Sequence, residues 1–352
     1  MRRTFLTVCG AVALAATLAC SDALEQDTTS GQFVVVVNAG SGDLTLVSAT
    51  SFDTLIRPLG AFGGVPGAAA GRDDVLLVSL SAIDTLVVRA FESAGPPGGV
   101  VPLAVGSGAA DVVVQDDSIA WVANPERHRV TRVNYRTGDT ASVSVGTSPY
   151  GLALVGATLF VANANLAGGA TQGLAWLSVV TTGPGAPAVT DSIPLTVTNA
   201  RHVVLGGDGL LYVVGAGTVG RADGRLAIVD PATRTELVVI NGLGESPGQP
   251  VYHPAGRLLV AAGDAGILEI NAVTRTLVRG PGAGLRPEGD GIVALAVDTR
   301  GRVYAVAPQG CAAPGVVHIL SAPPDMRLRR TVPVGTCPAA AATVVVFSLP
   351  AG

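Results

Sequence analysis

One six-residue phrase comes back seven times along this 352-residue chain and restricts its fold more than any other feature. It reads FVVVVN at Phe33, VLLVSL at Val75, IAWVAN at Ile119, TLFVAN at Thr158, LLYVVG at Leu210, RLLVAA at Arg257 and RVYAVA at Arg302. Successive copies begin 42, 44, 39, 52, 47 and 45 residues apart. Most copies are near-continuous apolar runs of strand length, as expected of a strand covered on both faces. Repetition near this period points to an array of small sheets, each covered by its neighbours because none can bury its own faces. The expected fold class is all-β, a seven-bladed β-propeller.

Each unit divides into four antiparallel strands. In the third, the expected strands are Asp111–Val114, Ile119–Asn124, Arg129–Tyr135 and Thr140–Val145, with glycine and polar turns between them. The same plan fits His202–Leu205, Leu210–Val214, Arg225–Asp230 and Glu236–Ile240. It fits again at Ile292–Asp298, Arg302–Val306, Val316–Leu320 and Arg329–Val334. The phrase is thus the second strand of a blade, and the chain starts on it, at Phe33–Asn38. The final apolar stretch, Thr343–Ser348, reads as a first strand that joins the first blade and closes the ring, leaving only short edges. An outer-membrane barrel would alternate over about ten residues and carry aromatic girdles. Here the runs are unbroken and aromatics are only 4% of the chain, which argues against it.

The stretch from Ile119 to Leu154, IAWVANPERHRVTRVNYRTGDTASVSVGTSPYGLAL, resembles the YVTN-type propeller repeat, and Ala227–Thr233 and Val332–Gly335 echo other parts of it. The resemblance extends loosely over residues 33–349 and implies a single seven-bladed domain. It implies no particular activity, since one fold hosts many.

Residues 1–19 read as a secretory signal, with Arg2 and Arg3 before an apolar run too short to span a bilayer. Leu18-Ala19-Cys20 resembles a bacterial lipobox, which implies acylation of Cys20 and a flexible lipidated tether over 20–32. A lipid-anchored protein of the cell envelope is expected, on the outer membrane by the residues after Cys20, facing the periplasm or the cell surface. A net charge of −4 gives no electrostatic footprint for nucleic acid. Cys311 and Cys337 remain after Cys9 and Cys20 are accounted for, and an oxidising compartment favours a disulfide between them.

Loops from the fourth strand of one blade to the first of the next share a face with the second-to-third loops and converge on the central channel. They offer Asp111, Tyr150, Arg201, His202, Gln249, Glu288 and Asp290. The second-to-third loops add Glu126, Arg127, His128, Asn163, Asn165, Arg221 and Asp223, and Cys311 and Cys337 fall on the same face. Tyr150 and Arg201 are suited to grip an anionic or planar ligand by stacking and bidentate hydrogen bonding. Asp111, Glu288 and Asp290 offer carboxylates for a second reading, a lactonase resembling the gluconolactonase propellers, in which oxygen ligands hold a divalent cation. The histidines, His202 and His253 among them, have no metal-ligand spacing, no GxSxG elbow is present, and the glycine clusters read as turns. The expectation is therefore a monomeric binding scaffold for an envelope protein, peptide or small ligand, with no cofactor, no metal and no catalytic residue assigned.

Overall fold

In the computed structural model, which describes residues 31–60, 65–92 and 99–346, seven four-stranded antiparallel sheets form a ring. The signal, Cys20 and most of the tether lie outside the described residues. Blade 1 runs from the axis outwards as Pro338–Val346, Gly31–Asn38, Asp43–Ser48 and Thr54–Pro58. The C-terminal strand is therefore innermost in blade 1, with Val35 opposite Ala342 and Phe33 opposite Val344. The first strand starts at Gly31, so Gly31 and Gln32 belong to the ladder rather than to the tether, because Gly31 pairs with Val346 and Gln32 with Val345. The inner strands of blades 2 to 7 are Pro66–Arg72, Asp111–Val114, Pro149–Val155, Ala200–Leu205, Pro250–His253 and Ala294–Val297.

The phrase strands are apolar throughout because their two faces serve different junctions. In Gly31–Asn38, Val35 and Val37 pack towards blade 2, whereas Val34 and Val36 pack towards blade 7, and all four are fully buried. In Ile119–Asn124, Ala120 and Val122 face blade 2 while Trp121 and Ala123 face blade 4. Among the described residues, the buried side chains fall into seven clusters, one per junction, so the core is itself a ring. Each valine, leucine, isoleucine or phenylalanine in them contributes about 1.5–3 kcal/mol by leaving water.

The asparagine that ends the phrase in blades 1, 3 and 4 ties the second strand to the third. Asn38 Nδ2 donates to Thr45 Oγ1 at 2.9 Å, Asn124 Nδ2 to Thr131 Oγ1 at 2.8 Å, and Asn163 Nδ2 to Ser178 Oγ at 3.0 Å. The 52-residue spacing between the fourth and fifth phrases accommodates a small hairpin, Leu166–Ala167 with Ala170–Thr171, and long outer strands in blade 4. Cys311, after the second strand of blade 7, is joined to Cys337, just before the inner strand of blade 1, with sulfurs 1.99 Å apart. The bridge fastens the last blade to the strand that closes the ring.

Candidate functional site

A cavity of about 590 Å³ opens at the channel mouth, on the face that carries the inter-blade loops. Asp111, Tyr150, Arg201, His202 and Gln249, which come from blades 3 to 6, all line it, together with Glu126. Further along the axis, a second space of about 420 Å³ is walled largely by apolar side chains such as Val113, Val204, Leu295 and Ala341. Polar recognition is therefore concentrated at the mouth.

Two bulges aim the central pair. In blade 4, Pro149 pairs with Asn163 and Gly151 with Ala162, which leaves Tyr150 outside the ladder. In blade 5, Ala200 pairs with Gly215 and His202 with Val214, leaving Arg201 in the same position. A bulged residue loses its ladder partner and can turn its side chain in a direction that a regular strand forbids. The Arg201 guanidinium carbon consequently lies 4.5 Å from the centroid of the Tyr150 ring. Buried Asn199 holds the arginine from behind: Arg201 Nε donates to Asn199 Oδ1 at 3.0 Å, and Asn199 Nδ2 donates to the Gly217 carbonyl at 3.0 Å. No carboxylate pairs with Arg201 among the described residues. Gly151, next to Tyr150, packs on the blade 5 backbone where there is no room for more: a Cβ there would sit 2.8 Å from His202 Cα and from Val203 N.

Asp111 links blades 3 and 4. Its Oδ1 accepts from the Val112 amide and its Oδ2 from the Leu152 amide, both at 2.8 Å. Burial pushes its carboxyl up to about 7, against the pull of those two amides. His202 is pushed down to about 4, first by burial and then by the neighbouring Arg201 charge, so its imidazole is neutral at neutral pH. The mouth thus offers one cation stacked on an aromatic ring, a neutral imidazole, a carboxamide, the Asp111 carboxyl poised between its two forms and, from the second-to-third loop of blade 3, the carboxyl of Glu126.

Asp290 is not among these groups. It turns into blade 7, where its Oδ2 lies 2.8 Å from Nε2 of fully buried His318 and accepts from Gln309 Nε2 at 2.6 Å. Glu288 goes the same way, accepting from Thr331 Oγ1 at 3.0 Å, while Thr331 Oγ1 also lies 3.1 Å from His318 Nδ1. Asp111, Glu288 and Asp290 do not converge. Among the described residues, no three histidine, cysteine or acidic side chains are grouped to hold a metal ion. His253 ends the inner strand of blade 6 and is buried there rather than lying in the turn, with Nε2 at 2.8 Å from the Gly301 carbonyl and Nδ1 accepting from the Ala255 amide at 3.0 Å. Asn199 was not anticipated as part of the site. Its place directly before a bulged inner strand, two residues from Arg201, is the only local signal.

No family model matches the chain, and no curated protein matches it either. Several solved structures are similar. A functionally unknown protein from Desulfotomaculum acetoxidans is 16% identical with a TM-score of 0.66, over 89% of this chain and 99% of that one. Hydrazine synthase of Kuenenia stuttgartiensis is 17% identical with a TM-score of 0.62, over 80% of this chain and 92% of that one. Apo AztD from Citrobacter koseri is 13% identical with a TM-score of 0.57, over 89% of this chain and 98% of that one. At these identities the likeness is one of fold, and by that likeness and its own topology the chain is a seven-bladed β-propeller.

Proposed function

We propose that this protein is a monomeric, lipid-anchored binding protein of the bacterial cell envelope, whose propeller holds a small anionic, planar ligand at the channel mouth. The observation that carries the reading is the Tyr150–Arg201 stack, projected by two bulges over a cavity, with no acidic partner for the guanidinium among the described residues. Desolvated arginine favours flat carboxylates and phosphates, which it meets with two parallel hydrogen bonds while the ring beside it offers a stacking face. His202 and Gln249 supply neutral polar contacts at the same mouth. The anchor and its outer-membrane address rest on the signal and lipobox-like sequence ending at Cys20. A monomer fits the short, half-exposed outer strands such as Thr54–Pro58 and Thr140–Ser144, which offer poor templates for pairing.

A thermal-shift panel of benzoate, nicotinate, phthalate and adenosine monophosphate tests the site. A ligand present at a hundred times its Kd stabilises by about 2.7 kcal/mol. At least one probe is expected to raise the melting temperature of the wild type and to lose that effect in Arg201→Ala and Tyr150→Ala. Indifference to the whole panel, or a shift that survives both substitutions, overturns the ligand reading. For the anchor, Cys20→Ala is expected to move the protein from the membrane to the soluble fraction, and retention in the membrane overturns that part.

A further inference from the structure

On the face opposite the ligand cavity, an arginine-rich cleft of about 720 Å³ lies where blade 7 meets blade 1. Arg300, Arg302, Arg327 and Arg329 line it with Phe52 and Asp325. Arg302 is committed to the protein: its Nη2 lies 2.6 Å from Asp298 Oδ2, and its guanidinium rests 4.8 Å from the Phe52 ring centroid. Arg327 makes a loose, exposed pair with Asp325 at 3.6 Å. Arg300 and Arg329 are exposed, and neither side chain is bonded or ion-paired among the described residues. Four guanidinium groups thus face two carboxylates, a net positive patch on a chain whose net charge is −4.

The chain enters the fold beside this patch. Gly31 pairs with Val346 at the same end of blade 1, and Gln32 Oε1 accepts from both the amide and the hydroxyl of Thr299 at 2.9 Å. Thr299 adjoins Arg300, so any tether preceding Gly31 leaves the disc next to the cleft. From Cys20 to Gly31 the chain reaches at most about 40 Å when extended. Acidic side chains are spread over the other turns of that face, with Asp53 beside Phe52, Asp73 and Asp74 in blade 2, and Asp116 and Asp117 in blade 3, where Arg72 engages Asp117 at 2.9 Å; the arginines cluster at the blade 7 turns.

We propose that the cleft between blades 7 and 1 docks on the anionic phosphate headgroups of the membrane, so that the disc leans on its blade 7 edge with the ligand cavity turned away from the bilayer. The orientation rests on the reading of Cys20 as a lipid anchor; the headgroup binding does not. A basic side chain near an anionic surface gains attraction that decays within a Debye length, so several clustered together add up and salt weakens them.

The test uses the Cys20→Ala chain, which carries no lipid, in co-sedimentation with vesicles. Phosphatidylcholine alone is compared with phosphatidylcholine containing about 30% phosphatidylglycerol, where at least tenfold tighter binding is expected. That preference is expected to disappear in Arg300→Glu/Arg327→Glu/Arg329→Glu and to fall with added salt. It is expected to persist when the same charge change is made on the cavity face, in Arg127→Glu/Arg221→Glu/Arg225→Glu. Equal binding to the two vesicles, or an undiminished preference in the first triple variant, overturns the proposal. The anchor is read separately, from the mass of the wild-type N-terminus. An unacylated wild type with an intact vesicle preference removes the anchor and leaves the cleft as a headgroup site. An acylated wild type without the preference leaves the anchor and removes the cleft.

Discussion

Replacing Asp111 with asparagine removes a carboxyl that lies in the channel wall with its oxygens tied to the Val112 and Leu152 amides. The carboxyl rises from 3.8 in the unfolded chain to about 7 in the fold because burial disfavours its charged form. A group raised in this way contributes fully to stability below its unfolded value and loses that contribution as pH climbs through its folded value. The wild type should therefore lose ground to Asp111→Asn between about pH 4 and about pH 7. A difference of about three pH units corresponds to an upper limit of about 4 kcal/mol. Water in the adjoining cavity screens part of that, leaving roughly 2 kcal/mol. For a domain of this size such a change moves the melting temperature by about 3 °C. Asparagine also presents an NH2 group to one of the two amides, a loss of about 1 kcal/mol that does not vary with pH. The quantity to follow is thus the change with pH in the gap between the two proteins, not the gap itself. Unfolding followed by fluorescence of Trp121 and Trp176 at constant ionic strength reports it. A gap that stays flat from about pH 5 to about pH 8, or that moves in favour of the wild type, would refute the assignment of burial as the dominant force on Asp111.

Other outcomes follow from the same geometry. Cys337→Ser opens the bridge to Cys311 across a separation of 26 residues, and chemical denaturation is expected to show a loss of roughly 3–4 kcal/mol. Gly151→Ala forces a methyl against the blade 5 backbone; calorimetry should record about 1–3 kcal/mol of destabilisation, and any probe held by Tyr150 and Arg201 should bind more weakly. Asp290→Asn disturbs the partner of buried His318 and is expected to cost about 1–3 kcal/mol in urea unfolding while leaving ligand-induced shifts unchanged. Glu269 is buried and accepts from Arg257 and Arg279 at 3.0 and 3.1 Å, so Glu269→Gln leaves two cations without their counter-charge. A loss of about 3–5 kcal/mol should appear in the same assay.

The ring was legible in the chain because its strands face two neighbours. Val34 to Val37 must be apolar on both sides, and that continuous run survives in every repeat as a pattern visible without a structure. The phase of the repeat also showed that the C-terminal strand must sit beside the first phrase, as Val35 opposite Ala342 bears out. Five of the proposed mouth residues were legible for the same reason, since their place in the repeat sets the end of the strand on which they lie. Asp290 was not, because repeat position says which face a loop occupies but not which way a side chain turns. A buried imidazole on the third strand of blade 7, 28 residues later in the chain, decides that. The bulges at Tyr150 and Arg201 were hidden too, because one extra residue in a strand leaves hydrophobic spacing almost unchanged. The Glu269 triad was equally out of view: its three members lie on separate strands of blade 6, and pairing register alone brings them together.

Gly31–Asn38 is laddered on both edges, to Asp43–Ser48 on one side and to Pro338–Val346 on the other. Its axis is also the direction along which a pull on the preceding residues enters the fold. The ladder hydrogen bonds run across that direction, so tension loads both ladders in shear and their bonds must give together. An edge strand pulled sideways would instead peel open one bond at a time. A disc tugged from its N-terminal end is thus held by two ladders at once, and failure there would open the blade that closes the ring.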